Sequence, residues 1–72
     1  MKNIDVYLPL TNLGIDKNII EKLENKNVKT INDLWVLKRK ELKDLDFNDK
    51  EINHIRIKLQ LWGLDLNKKI YI

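Results

Sequence analysis

Apolar residues recur at intervals of three and four positions along most of the chain, the spacing of amphipathic helices. One such stripe predicts a helix from about Lys17 to Asn25, with Asp16 as its N-cap. A longer stripe predicts a last helix that is capped by Asn48 and ends before Gly63. The stripe residues expected in the core are Ile19, Ile20, Leu23, Ile52, Ile55, Leu59 and Trp62.

Two shorter helices are predicted between these. Thr30 is followed three residues later by Asp33, the spacing of a capping box, and "LKRKELKDL" continues as a further helix that points Leu42 and Leu45 inward. Before them, "IDVYL" alternates apolar and polar residues, which is typical of extended chain. We therefore expect an all-α fold, a compact bundle of four or five short helices, with an extended segment at 1–9, a helical domain at 10–66 and a C-terminal tail at 67–72.

The last helix is apolar on two sides. Ile57 and Leu61 fall almost opposite its core stripe, and His54 lies on their side. Either the two ends of the chain cover this second side or a partner molecule does. Because exposed apolar patches are rare on small monomers, coverage by the chain itself is the favoured prediction.

Composition excludes several classes of function. The chain has 72 residues, no cysteine and a single histidine, so we expect one domain with no disulfide, no metal site and no cofactor. No apolar run approaches the roughly 18 residues of a membrane span, and the sequence predicts a cytoplasmic protein with no membrane partner. No nucleophile and base stand at telling spacings and no Gly-rich phosphate loop exists, which predicts a non-enzymatic protein without a small-molecule substrate.

Charge leaves acidic partners open. Lys plus Arg number 14 against 11 Asp plus Glu, for a formal net charge of +3. The densest cluster of cations is "LKRKELK", with Lys38, Arg39, Lys40 and Lys43. Such a cluster contacts phosphates in some proteins and is the solvated side of a helix in many more, and the sequence leaves both interpretations open.

From Pro9 to Leu66 the chain resembles the C-terminal domain of the bacterial RNA polymerase alpha subunit. The resemblance is carried by "PLTNLGI", "VKTINDL", "KELKDL" and "WGLDL", in that order and with similar separations. It implies a bundle that contains a helix-hairpin-helix unit, the hairpin being the bend before the last helix. It also implies binding to the minor groove of AT-rich duplex DNA and docking on RNA polymerase or transcription factors.

The resemblance carries over residue by residue. The family's DNA surface is formed by the start of the first helix, here Lys17, Asn18 and Lys22, and by the hairpin, here Asn48 and Lys50. Asn18 stands where the family has a groove-entering arginine, and Asn48 stands where it has a glycine. Asp44, Asp46, Asp49 and Glu51 bring negative charge to the same bend, which predicts weak contacts with the DNA backbone or minor groove.

The middle of the chain, "DLWVLKRKELKDLDF", is also similar to the sterile alpha motif domain, a SAM-like arrangement of five short helices that serves mainly in protein interaction. This leaves an alternative to DNA binding, an adaptor or a homodimer that associates through the last helix. The candidate contact residues on that helix are His54, Ile57 and Leu61.

Overall fold

The computed structural model describes residues 5–71 and is mostly helical, with 55% of this part of the chain in helices. Within these residues there are four α-helices, one short 3-10 helix and a two-stranded sheet. The elements in chain order are the 3-10 helix Leu10–Leu13, α1 Lys17–Asn25, α2 Ile31–Trp35, α3 Arg39–Asp44, α4 Asp49–Leu61, β1 Leu64–Asp65 and β2 Lys69–Ile70.

The predicted helix starts are confirmed. Thr30 begins α2 with a capping box, in which its hydroxyl accepts a bond from the Asp33 amide at 3.1 Å and the Asp33 carboxylate accepts one from the Thr30 amide at 3.2 Å. Asn48 and Glu51 make the same reciprocal pair at the start of α4, at 2.8 and 3.0 Å. Asp16 precedes α1 as expected, but its side chain makes no capping hydrogen bond. Two helices are thus held at their first turn by side-chain chemistry that the sequence spells out.

Three of the helices end at a residue in the left-handed region. After α4 this residue is Gly63, with φ +78°, in agreement with the sequence prediction. After α1 and α3 it is Asn27, with φ +64°, and Asp46, with φ +73°. The Phe47 amide then donates to the Leu42 carbonyl at 3.0 Å and the Asp46 amide to that of Lys43 at 3.0 Å, the bond pattern of a Schellman motif. The chain therefore reverses sharply between α3 and α4 without a glycine.

One apolar core joins all four helices to the segments at both ends. The α1 and α4 stripes are buried as predicted, while Trp62 is only partly buried. No charged or polar residue is buried among the described residues, so apolar burial is the principal stabilising term. The remaining core residues are Leu10, Leu13, Ile15, Val28, Ile31, Leu34, Leu42, Phe47, Leu64 and Leu66.

The N-terminal part of the predicted extended segment contains a turn. Residues 6 and 7 bend the chain, where the Tyr7 amide donates to the Asp5 carboxylate at 2.9 Å. Beyond the turn, Pro9 pairs with Thr30 in an isolated antiparallel bridge, and the Ile31 amide donates to the Leu8 carbonyl at 3.0 Å. This segment is therefore anchored to the start of α2; residues 1–4 of the prediction lie outside the described part of the chain.

The expectation of an all-α fold needs one correction, because residues 64–70 form a small antiparallel hairpin. Leu64 pairs with Ile70 and Asp65 with Lys69. Asn67 and Lys68 reverse the chain, both with positive φ, +64° and +58°. Each strand has only two residues, which is too short to show the alternation of apolar and polar residues that indicates a strand. The sequence pattern therefore did not predict the hairpin. No helix in residues 5–71 has the length and apolar character needed to cross a bilayer.

Candidate nucleic-acid interface

Lys22 joins α1 to the bend between α3 and α4. Its ammonium group donates to the backbone carbonyl of Asp46 and lies 3.2 Å from the Glu51 carboxylate. The same nitrogen stands 4.4 Å from the centre of the Phe47 ring, at the distance of a cation–π contact. The structure therefore brings the predicted α1 and hairpin segments together, through a contact between residues 24 or more positions apart.

These contacts occupy two of the candidate binding residues. The Lys22 side chain retains 30% of its exposure, and its proton donors point at the protein's own bend. Asn48 is exposed, and its side-chain oxygen caps α4. The hydrogen bond from the Asn48 amide, together with that from Lys22, outweighs desolvation and lowers the pKa of Glu51. Both Lys22 and Asn48 thus have a structural role at the bend.

Lys17, Asn18 and Lys50 are the candidate residues that face solvent freely. All three are exposed, and neither lysine forms an ion pair with any residue in the described range. The start of α1 lies beside α4, since the Asp16 amide donates to His54 Nε2 at 3.1 Å. Lys17 and Asn18 follow Asp16 directly, and Lys50 lies one helical turn before His54.

Carboxylates reduce the positive potential of this surface. Asp44 and Asp46 are exposed and form no ion pair within residues 5–71. Asp49 is paired with Arg39 at 3.1 Å and Lys43 at 3.2 Å, and hydrogen bonds from these two side chains lower its pKa. A phosphate bound at this surface would be repelled by any of these carboxylates that lies within the screening length of about 8 Å.

The left-handed residue of the bend is Asp46. Asn48, which stands at the position of the family's glycine, has an ordinary extended backbone with φ −84° and ψ 171°. The conformational freedom of a glycine is therefore needed two residues earlier than the resemblance implies. The sequence has no glycine in this bend, so no residue type indicated that the backbone adopts the left-handed conformation at Asp46.

The outer side of α4 is open. Ile57 is 55% exposed and Leu61 74% exposed, so neither chain end, as far as it is described, covers them. The predicted self-coverage is wrong for residues 5–71, since the N-terminal segment packs on α2 instead and the C-terminal hairpin packs on the connection from α2 to α3. His54 is partly buried and its ring nitrogen accepts the Asp16 amide, a contact between residues 38 positions apart that no sequence pattern indicates.

A basic cleft lies elsewhere on the molecule, between the start of α3, the middle of α4 and the C-terminal hairpin. Its volume is about 320 Å³. Lys38, Arg39 and Lys40 are adjacent in the sequence and were expected as a basic cluster, whereas Arg56 and Lys69 are distant in the sequence and join them only in the fold. The lining residues that the structure describes are Lys38, Arg39, Lys40, Arg56, Asp65, Leu66, Asn67 and Lys69.

Arg56 is fixed in this cleft by Asp65. Its Nε and a terminal nitrogen donate to the two Asp65 oxygens at 3.2 and 3.3 Å, a two-pronged pair. The hydrogen bonds that Arg56 donates to the Asp65 carboxylate raise the pKa of Arg56 above its ordinary value. Burial alone would raise the pKa of Asp65, but the bonds from Arg56, the Leu66 amide and Gln60 lower it.

No family model matches this chain, and no curated protein matches it. The functional assignment therefore depends on the geometry above and on the resemblance read from the sequence.

Proposed function

We propose that the chain is a non-enzymatic DNA-binding domain related to transcription, of the type found at the C-terminus of the bacterial RNA polymerase alpha subunit. The observation that carries the proposal is the contact of Lys22 with the bend at Asp46 and Glu51. The resemblance implies that the first helix and the hairpin before the last helix form one surface, and this contact places them side by side. In this proposal α3, the bend and α4 are the helix-hairpin-helix unit.

The proposed binding surface consists of Lys17, Asn18 and Lys50, with Lys22 and Asn48 holding its two halves together. Lysine ammonium groups act as point charges toward phosphates and carry no base preference of their own. Asn18 is the group that would reach toward base edges. With Asp46 and Glu51 at the same bend, affinity is weak and falls steeply with salt. A partner such as RNA polymerase or a transcription factor would supply the remaining stability of the complex.

The test is an NMR titration of the isotope-labelled chain with AT-rich duplex DNA at low and at moderate salt. We expect the amide signals of Lys17, Asn18 and Lys50 to move at low salt and to return toward their free positions as salt rises. The Lys17→Glu, Lys50→Glu variant should lose these shifts. Lys26→Glu, Lys29→Glu is its matched control, because it makes the same change in net charge at exposed lysines whose side chains form no hydrogen bond or ion pair with the described residues of the bend. Unmoved signals at low salt would refute the proposal.

A second candidate function is protein interaction, which the exposure of Ile57 and Leu61 favours. In this reading the domain is a SAM-like adaptor or a homodimer that associates through the outer side of α4, with His54 at its edge. Such association depends on apolar contact and tolerates salt. Sedimentation of the native chain over a range of concentrations tests it: a dimer that Leu61→Asp abolishes and Asn53→Asp leaves intact supports this function, and a monomer at every concentration excludes self-association.

A further inference from the structure

The basic cleft holds more cationic side chains than the proposed binding surface at the bend, which has Lys17, Lys22 and Lys50. Among the residues that the structure describes, the cleft is lined by five cationic side chains and a single carboxylate, Asp65; the cations are Lys38, Arg39, Lys40, Arg56 and Lys69. The carboxylate is already paired with Arg56 at 3.2 Å. Arg39 is paired outside the cleft, with Asp49. Lys38, Lys40 and Lys69 form no ion pair with any residue from 5 to 71, so their charges remain available to a ligand.

The cleft exists because the C-terminal hairpin is held against the connection between α2 and α3. The Asn67 amide donates to the Leu37 carbonyl at 2.8 Å, and the Lys68 amide donates to the Trp35 carbonyl at 2.8 Å. In return Trp35 Nε1 donates to the Lys69 carbonyl at 2.8 Å. Lys69 is thereby brought to the start of α3, 29 or more residues earlier in the chain. The backbone positions from which these cations extend are therefore set by the fold.

Such an arrangement costs electrostatic free energy unless an anion is present. Like charges drawn into one concave surface repel each other, and the low-dielectric wall of a cleft strengthens that repulsion. The same geometry raises the local concentration of a polyanion and releases its condensed counterions on binding. An apolar ligand finds little here, since Leu66 is the lone apolar side chain among the lining residues that the structure describes and it is itself buried in the core.

We infer that this cleft binds phosphate groups of a nucleic-acid backbone. The cations come from three elements and the cleft is open to solvent, which suits the phosphates of an extended backbone better than one enclosed anion. Arg56 contributes a planar group that its pair with Asp65 holds in place, while Lys38, Lys40 and Lys69 contribute mobile charges around it. The site shares no residue with the surface proposed above, so the two stand or fall separately.

Fluorescence anisotropy with a labelled AT-rich duplex tests the inference with three matched variants of the full chain. The cleft variant is Lys40→Glu, Lys69→Glu; the bend variant is Lys17→Glu, Lys50→Glu; the remote control is Lys26→Glu, Lys29→Glu. Each lowers the formal net charge by four, from +3 to −1. All six lysines are exposed, and the glutamate at position 40 falls in the first turn of α3, where an acidic residue is favourable.

We expect the cleft variant to bind the duplex on the order of tenfold more weakly than the remote control at low salt. The slope of log affinity against log salt should also be smaller by about two, one for each phosphate contact removed. Circular dichroism of each variant verifies that the fold is kept, and Lys38→Gln with Lys69→Gln gives a milder second pair should the charge reversal unfold the chain.

The outcomes separate the two sites. A cleft variant that binds as well as the remote control overturns this inference whatever the bend variant does. Loss of binding in the bend variant alone then leaves the proposed function standing, and loss in the cleft variant alone supports the inference while refuting the bend surface. Equal loss in all three variants reduces the effect to net charge and also overturns the inference. Saturation by inorganic phosphate under conditions where the duplex does not bind overturns the assignment to nucleic acid.

Discussion

Lys22 shows how one side chain can be withdrawn from binding by the fold itself. Its ammonium group has three donors, and two of them are directed at Asp46 and Glu51. The carbonyl that it satisfies belongs to a non-glycine residue in the left-handed region, a conformation that needs support from its surroundings. At this position structural and ligand-binding uses of the charge compete, and the structural use is the one realised.

We predict that Lys22→Met destabilises the fold by about 1–2 kcal/mol. Methionine keeps an unbranched apolar side chain but removes the hydrogen bonds to Asp46 and Glu51 and the cation–π contact with Phe47. Urea denaturation followed by circular dichroism measures the free energy of unfolding. Lys26→Met is the control, because Lys26 is exposed on the same stretch, and we expect its effect to stay within about 0.5 kcal/mol. Similar effects from the two substitutions would contradict the role given to Lys22.

Asp46→Gly should act in the opposite direction and stabilise the fold by about 0.5–1 kcal/mol. Glycine adopts φ +73° without the steric cost that a Cβ brings, and the Asp46 side chain makes no hydrogen bond or ion pair within the described residues to lose. Asn48→Gly, two residues on, is the comparison: there the backbone is extended and the side chain caps α4, so stability should fall by a few tenths of a kcal/mol. Denaturation midpoints of the two variants on the same side of the native value would refute this account of the bend.

At the scale of the elements, the sequence predicted what depends on near neighbours. Thr30 with Asp33 and Asn48 with Glu51 lie three residues apart, and both pairs cap a helix as their spacing indicates. The contacts that assemble the helices were out of reach, since His54 meets Asp16 and Trp35 meets Lys69 across more than thirty residues. The residue type of a histidine or a tryptophan does not predict which distant backbone group its side chain will bond. The basic cleft depends on the second of these contacts, which is why the sequence indicated only three of its five described cationic residues, Lys38, Arg39 and Lys40.

Trp35→Phe tests how the hairpin is held. The substitution keeps an aromatic ring against the core but removes the Nε1 donor to the Lys69 carbonyl. We expect faster hydrogen exchange at the Asn67, Lys68 and Tyr71 amides, by roughly threefold to tenfold for a lost bond of about 1 kcal/mol. Exchange in α1 should not change, which makes its amides the internal reference. Uniformly faster exchange would instead mean that Trp35 stabilises the whole fold and not the hairpin alone.

At the scale of the whole molecule, a modest net charge of +3 is unevenly distributed. Carboxylates gather at the bend, where they pair with Lys22, Arg39 and Lys43. Lys38, Lys40 and Lys69, which form no ion pair within residues 5–71, lie around the cleft, and the outer side of α4 keeps two apolar residues. The resemblance indicates the bend as the binding surface because it depends on matching residues along the sequence. The electrostatic potential of a surface depends instead on which elements the fold brings together.

The fold as a whole should lose stability in acid. The pKa values of Asp33, Glu51 and Asp65 all lie below their ordinary range: burial opposes the shift of Asp33 and Asp65 and is outweighed by hydrogen bonds, while the Asn48 amide is the main cause for Glu51. Unfolded carboxyls titrate near pH 4, so around that pH the unfolded chain binds more protons than the folded one. The stabilisation is therefore complete above about pH 5 and is lost as the pH falls through the lowered values.

We expect the thermal unfolding temperature to drop by on the order of 5–10 °C between pH 6 and pH 3. Glu51→Gln, which keeps an acceptor for the capping box but cannot ionise, should make that drop smaller, whereas Glu24→Gln at an exposed position should leave it unchanged. An unfolding temperature independent of pH over this range would show that these carboxylates contribute nothing to holding α2, α4 and the hairpin in place.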